Sequence, residues 1–177
     1  MRLKLANRLL WKVSPADHKF LPVSVISIER CGRGLDGVYR NMRGKDISEY
    51  TAALDNLVID TDYLSIGIGD GGNEIGMGNI YSLIKSNISE IEPSVIKTSH
   101  LILATTSNWG AYGLIAAISK INKFDYLPDL ESIVNYLNYL LSLGCVDGIK
   151  GKGELSVDGF PIKTDELIIN QLRKSLF

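Results

Sequence analysis

Apolar residues run along this chain in two rhythms. Three short runs rich in β-branched or aliphatic residues, "VSVISI" at 23–28, "YLSIGI" at 63–68 and "HLILATTS" at 100–107, read as buried strands. Elsewhere apolar residues recur three or four apart, the spacing of a helix that buries one face. The first run leads through a polar loop, "ERCGRGLDGVYRNMRGKD", to a helix capped by Asp46, with Ile47, Tyr50, Leu54, Leu57 and Val58 on one side. The second passes through a glycine turn into a helix carrying Met77, Ile80, Tyr81, Ile84 and Ile88. The third gives way to a helix capped by Asn108 and carrying Tyr112, Ile115 and Ile118. Pro128 opens a further helix, whose buried stripe is Leu130, Ile133, Val134, Leu137 and Leu141. "ELSVDGFPIKT" predicts a hairpin turning at Asp158-Gly159, and an amphipathic helix runs from about Thr164. At the start, residues 1–20 predict a connecting helix that packs Leu5, Leu9 and Leu10. Its Arg2, Lys4, Arg8 and Lys12, with no acid among them, also suit a transit peptide or an interfacial helix.

Strands alternating with helices predict an α/β fold: a mainly parallel sheet with helices on both faces, in a single domain over 1–177. Right-handed crossovers then bring the loops that begin at Glu29, Gly69 and Ser107 to one edge, the carboxyl ends of the strands, where open α/β sheets bind ligands. The 177 residues, 45% of them apolar, suffice for a real core. A net charge of −1 leaves no electrostatic footprint for nucleic acid, and no apolar stretch approaches a membrane span. Cys31 and Cys145 lack metal-ligand spacing and fit reduced thiols in the cytoplasm.

The glycine turn, "SIGIGDGGNEIGMGN" at 65–79, carries the most chemistry. Gly67, Gly69 and Gly72 satisfy G-x-G-x-x-G between a strand and a helix, so a dinucleotide site is one reading. Against it, Asp70 and Glu74 would meet the pyrophosphate with like charge. Glu90 and Glu92 lie about 20 residues on, but before the next strand rather than at its tip. A second reading is a helix start that gathers acids because its dipole favours them. It accounts for Glu74 but not for so many glycines, which signal close backbone approach. The third is a divalent-cation site without nucleotide. Glu29, Asp70, Asn73 and Glu74 offer the hard oxygen ligands that Mg²⁺ or Mn²⁺ prefers. His18 and His100 lie outside these loops, which disfavours zinc.

The first loop sets Arg30, Arg33, Arg40 and Arg43 near Glu29, Asp36 and Asp46, with Tyr39 and Asn41 placed to orient a ligand. The third offers Ser107 and Asn108 at a helix start, and Trp109 as a wall. No Ser-His-Asp or Cys-His grouping can be drawn from these loops.

Together, "ISIERCGRGLDGVYRNMRGKDIS", "SIGIGDGGNEIGMGN" and "TSNWGAYGL", with a weaker echo in "SVDGF", resemble the D-glutamate cyclase-like C-terminal domain family over residues 22–160. The resemblance implies a hydro-lyase that converts D-glutamate to 5-oxo-D-proline with loss of water, assisted by a divalent cation. Metal-dependent phosphatase chemistry is the alternative, and a non-catalytic half-domain is the third. Full-length members carry an additional α/β half with T-G-F and E-T-D-G-P motifs, which do not occur here. The resemblance therefore also implies a partial domain, with a homo-oligomer or a companion chain supplying the missing N-terminal half.

The chemistry assigns roles. Glu29, Asp70, Asn73 and Glu74 would hold the metal, and Asp70, Glu74 and Arg43 would act in the reaction, Glu74 as ligand or as proton carrier. Arg30 or Arg43 would grip the substrate's α-carboxylate. Arg33, Asn41, Ser107 and Asn108 would line the substrate site.

Overall fold

The computed structural model describes residues 23–176. The connecting helix expected at 1–20 and His18 lie outside them. The chain forms two compact units, one running to Ser107 and the other from Asn108, and each is taken by itself.

The first unit is built on a parallel sheet of β1 (Ser24–Ile28), β2 (Leu64–Gly69) and β3 (His100–Leu103), in that order. Ile26 is paired with Ile66, and Ile68 with both Ile28 and Ile102. β2 lies in the middle, and its Ile68 is fully buried. The α/β class and the parallel sheet are those expected from alternating strand and helix patterns. β3 is shorter than the expected run: it ends at Leu103, and a helix begins at Ser107.

The glycine density has a local explanation. A Cβ on Gly67 would strike the Ile75 carbonyl and stand 2.8 Å from the Gly76 Cα. The glycine turn thus folds back flat against the strand it leaves. Gly76 completes the fold-back at φ 106°, a conformation that other residues adopt only under strain. The close approach read from sequence is made by the chain itself. It brings Ile75 into a cluster with Val58 and Ile96, flanked by Val25, Ile59 and Val95.

Beyond the turn, a 3-10 helix (Met77–Ile80) precedes α1 (Tyr81–Asn87). Met77 and Ile84 are buried, whereas Ile88 has left the helix and is exposed. The helix expected from Asp46 to Val58 does not form. Two 3-10 turns, Ser48–Tyr50 and Leu54–Leu57, stand in its place. In a continuous helix the Ala52 carbonyl would accept from Asn56. Here it accepts from the Arg30 guanidinium at 2.7 Å and from the Leu54 N–H at 2.8 Å. A tertiary contact overrides the local apolar spacing.

The second unit holds α2 (Ser107–Asn122, entered from the first unit), α3 (Leu130–Ser142), a hairpin of β4 (Ser156–Val157) and β5 (Phe160–Pro161), and α4 (Ile162–Lys174). Its core gathers Ala116, Leu127, Ile169 and Leu176, with Tyr112, Ile115, Ile133 and Leu172 around them. Ile118, expected on the buried face, is 40% exposed. Asn108 is the second residue of α2 and not its cap. Pro128 precedes the true cap of α3, Asp129, whose side chain accepts from the Ser132 N–H. The stripe from Leu130 to Leu141 is half-buried. At the hairpin, Asp158 (φ 50°) and Gly159 (φ 84°) are both left-handed, as a two-residue turn of this hand requires.

Candidate functional site

The carboxyl ends of the strands bring three acids together. Glu29 follows β1, Asp70 follows β2, and Glu74 returns from the glycine turn. One carboxylate oxygen from each lies within 4.8 Å of the other two. Glu29 takes a left-handed backbone (φ 52°), which costs a residue with a side chain about 1 kcal/mol or more. Its N–H is held by the Ile68 carbonyl at 3.0 Å. Like charges this close repel by a few kcal/mol per pair, on the order expected at a protein surface, unless donors or a cation offset them.

Donors offset part of that repulsion. The buried Glu74 carboxylate accepts from the N–H groups of Gly71 and Gly72, each at 2.7 Å, and from Asp70 N–H at 3.4 Å. Ser107 gives its N–H to Asp70 Oδ2 at 2.7 Å, and its hydroxyl donates to Glu29. Asn73 donates from Nδ2 to the Arg40 carbonyl at 2.9 Å, which leaves its Oδ1 as the oxygen to offer an ion. A carboxylate has room for about four such partners, so these bonds do not exhaust the site's capacity.

Glu29, Asp70, Asn73 and Glu74 line one cavity of about 330 Å³. Arg30 and Asn41 join them, along with Cys31, Met42, Ile47 and Thr51, to which the sequence assigns no site role. The Arg30 Nη2 donates to the Ala52 carbonyl, its Nε is buried without a partner, and it has no ion pair among the described residues. The Cys31 thiol donates to the Arg40 carbonyl at 3.2 Å. Burial, foremost, pushes its pKa up, so it is a neutral wall group.

The structure places the remaining candidates elsewhere. Arg33 turns to Asp55, 3.7 Å from its Oδ2, and to Asn56. Arg40 makes a two-pronged pair with Asp36. Arg43 is exposed and does not line the cavity; its N–H, like that of Lys45, is bound by the Asn41 side chain. Ser107 is fully buried and clamps two carboxylates rather than lining the cavity. Tyr39 donates its hydroxyl to Asp55 at 2.6 Å, and burial, then Asp55 itself, pushes the phenol well above its usual pKa. Asn108 and Trp109 belong to the second unit. There the Trp109 indole donates to Asp165 and packs at 5.0 Å on Phe160. The signal for Asp55 was absent, because "ALDNLV" reads as an exposed acid on a helix.

A parallel sheet with hard oxygen donors gathered at its carboxyl edge is the class that fold and site define. Residues 7–173 match the family described as D-glutamate cyclase-like, C-terminal, and the chain belongs to that family. It is similar to a protein of Homo sapiens named "D-glutamate cyclase, mitochondrial", with 33% identity over 100 residues. The match takes in 53% of this chain and 16% of that protein's length. No helix among the described residues is long and apolar enough to cross a membrane.

Proposed function

We propose that this chain closes D-glutamate into 5-oxo-D-proline, with release of water, in the cavity where Glu29, Asp70 and Glu74 meet Arg30. The observation that carries the reading is this pairing of an acidic cluster with a guanidinium that has no ion pair among the described residues, in a single small cavity. A zwitterion with a second carboxylate has charges of both signs to match such walls. A volume of about 330 Å³ is at the lower end of small-molecule sites, as a compact amino acid needs.

The donor set fits a hard divalent cation such as Mg²⁺ or Mn²⁺: carboxylate oxygens of Glu29 and Asp70, one of Glu74, and the Asn73 amide oxygen. Bound there, the ion would supply Lewis-acid polarisation of the substrate's γ-carboxylate. In the reaction the amine nitrogen bonds to the carbon of the γ-carboxylate, a C–O bond of that carboxylate breaks, and the departing oxygen leaves as water with two protons from the ammonium group. Arg30 holds the α-carboxylate. Glu29 or Asp70, the acids less committed to the backbone, accepts a proton from the ammonium group and returns it to the leaving oxygen. Glu74, fixed by two backbone N–H groups, shapes the turn and contributes an oxygen to the ion.

Phosphoester hydrolysis is less favoured, since Arg33 and Arg40 are engaged by Asp55 and Asp36. The companion chain or homo-oligomer expected from sequence has no support among the described residues. The test is to incubate the purified chain with D-glutamate and Mn²⁺ and resolve 5-oxo-D-proline by chiral chromatography. Turnover that Asp70→Asn abolishes supports the reading. Unchanged turnover in Asp70→Asn, or none in the unaltered chain, overturns it.

A further inference from the structure

We propose that Asp55 is a positioning residue: it anchors the arginine-bearing loop so that Arg30, and not Arg33, presents its guanidinium to a carboxylate ligand. The inference rests on the reading above that the cavity takes a dicarboxylate such as glutamate. Asp55 is fully buried. A buried carboxylate costs several kcal/mol unless it is partnered, on the order of what a small domain can ill tolerate.

Both of its partners come from the loop after β1. Tyr39 donates to Oδ1 at 2.6 Å, and the Arg33 guanidinium lies 3.7 Å from Oδ2, which accepts no hydrogen bond. The backbone around Asp55 faces the same loop. The Ala52 carbonyl, three residues earlier, accepts from Arg30 Nη2 at 2.7 Å. One short segment therefore grips the loop twice, by a carbonyl on Arg30 and by a carboxylate on Tyr39 and Arg33. The carboxylate grip holds the second arginine away from the cavity and sets the distance from which Arg30 reaches into it. Asp55 does not line the cavity, so its effect on a ligand passes through Arg30.

The experiment titrates glutarate, a dicarboxylate without an amine, into the full chain by calorimetry in the presence of Mn²⁺, and measures Mn²⁺ affinity separately. Asp55→Asn, which keeps an acceptor for Tyr39 but removes the charge, is expected to weaken glutarate about tenfold and to leave Mn²⁺ affinity within about twofold. Arg30→Gln is expected to weaken glutarate at least as much. In the Arg30→Gln background, Asp55→Asn is expected to add nothing, as for two residues acting through one contact. Additive losses, an unchanged glutarate affinity, or a parallel fall in Mn²⁺ affinity would overturn the proposal. Tyr39→Phe, which removes one hydroxyl, is expected to show a smaller loss of the same pattern and serves if Asp55→Asn fails to fold. If neither variant folds, Asp55 is a folding residue and the proposal is wrong. Failure of the cavity reading is distinguishable: the unaltered chain would then bind neither glutarate nor D-glutamate, and the inference would fall with it.

Discussion

Ser107 donates its backbone N–H to Asp70 Oδ2 at 2.7 Å, so Ser107 is tied to the residue that follows β2. The Ser107 hydroxyl meanwhile donates to Glu29. Ser107 thereby holds together two acids that are far apart in sequence, each the first residue after a parallel strand. Groups behind a metal ligand typically change affinity by about 10–100-fold when removed. Ser107→Ala keeps the N–H and loses the hydroxyl. It is expected to weaken Mn²⁺ binding about tenfold, read by calorimetry, with a stability loss of only about 1 kcal/mol, read by urea denaturation.

The glycines divide sharply by what surrounds them. A methyl group on Gly67 would run into the backbone of Ile75 and Gly76, which cannot give way as a side chain can. Gly67→Ala is expected to cost about 3 kcal/mol or more, at the upper end of overpacking penalties, and to lower the melting temperature accordingly. Gly113 lies inside α2 with nothing within 4 Å of an added Cβ. There alanine removes backbone freedom from the unfolded chain, and Gly113→Ala is expected to stabilise by about 0.5–1 kcal/mol. Thermal melts of the two variants should move in opposite directions.

These positions also show what the sequence makes legible. β-branched runs at 23–28 and 63–68 announce their strands, because no helix would place such residues so densely. Glu29 and Asp70 could be assigned to one site because parallel topology leaves their loops nowhere else to go. The crowding of glycines announced a close approach, but the approaching backbone, Ile75 and Gly76, is a matter of tertiary path. The 46–58 segment misled because its apolar spacing suits a helix, while Arg30 and Tyr39, distant in sequence, claim its carbonyl and its acid. Sequence offered Arg30 or Arg43 for the substrate's carboxylate and Arg33 for the lining. Only the tertiary path shows that Arg30 lines the cavity, that Arg43 is exposed and that Asp55 draws Arg33 away.

Asp147 organises the loop between α3 and the hairpin. Its carboxylate accepts from the N–H groups of Ile149, Lys150 and Gly159, each at 2.9 Å, and from the Ser156 hydroxyl at 2.6 Å. Burial works against its charge, but the Ser156 bond and the backbone donors outweigh it and hold the carboxyl well below the usual carboxylate range. The folded state therefore binds this proton less readily than the unfolded chain does. The stabilisation is complete above the unfolded value of about 4 and is lost as pH falls through the lower folded value. Asp147→Asn is expected to cost about 1–3 kcal/mol at neutral pH and to flatten the acid side of the stability profile, measured by urea denaturation from pH 7 to pH 3.

Asp165 behaves in the opposite sense. It is fully buried in the first turn of α4; Oδ1 accepts from the Trp109 indole at 3.3 Å, and Oδ2 has no hydrogen-bond partner among the described residues. Burial, the leading cause, raises its pKa above the ordinary value, and the indole only partly opposes that. The folded state thus holds the proton more tightly than the unfolded chain. Its contribution is greatest below the unfolded value of about 4 and declines as pH rises through the raised folded value. Above the unfolded value its burial is a burden on the fold. Asp165→Asn keeps an oxygen for the indole and carries no charge. It is expected to leave stability unchanged near pH 4 and to raise it by about 1 kcal/mol at pH 7 and above. Paired melts across that range, with Trp109 fluorescence reporting whether the indole keeps its environment, provide the check. Destabilisation at pH 7 greater than at pH 4 would mean that the charged form has a partner in the fold.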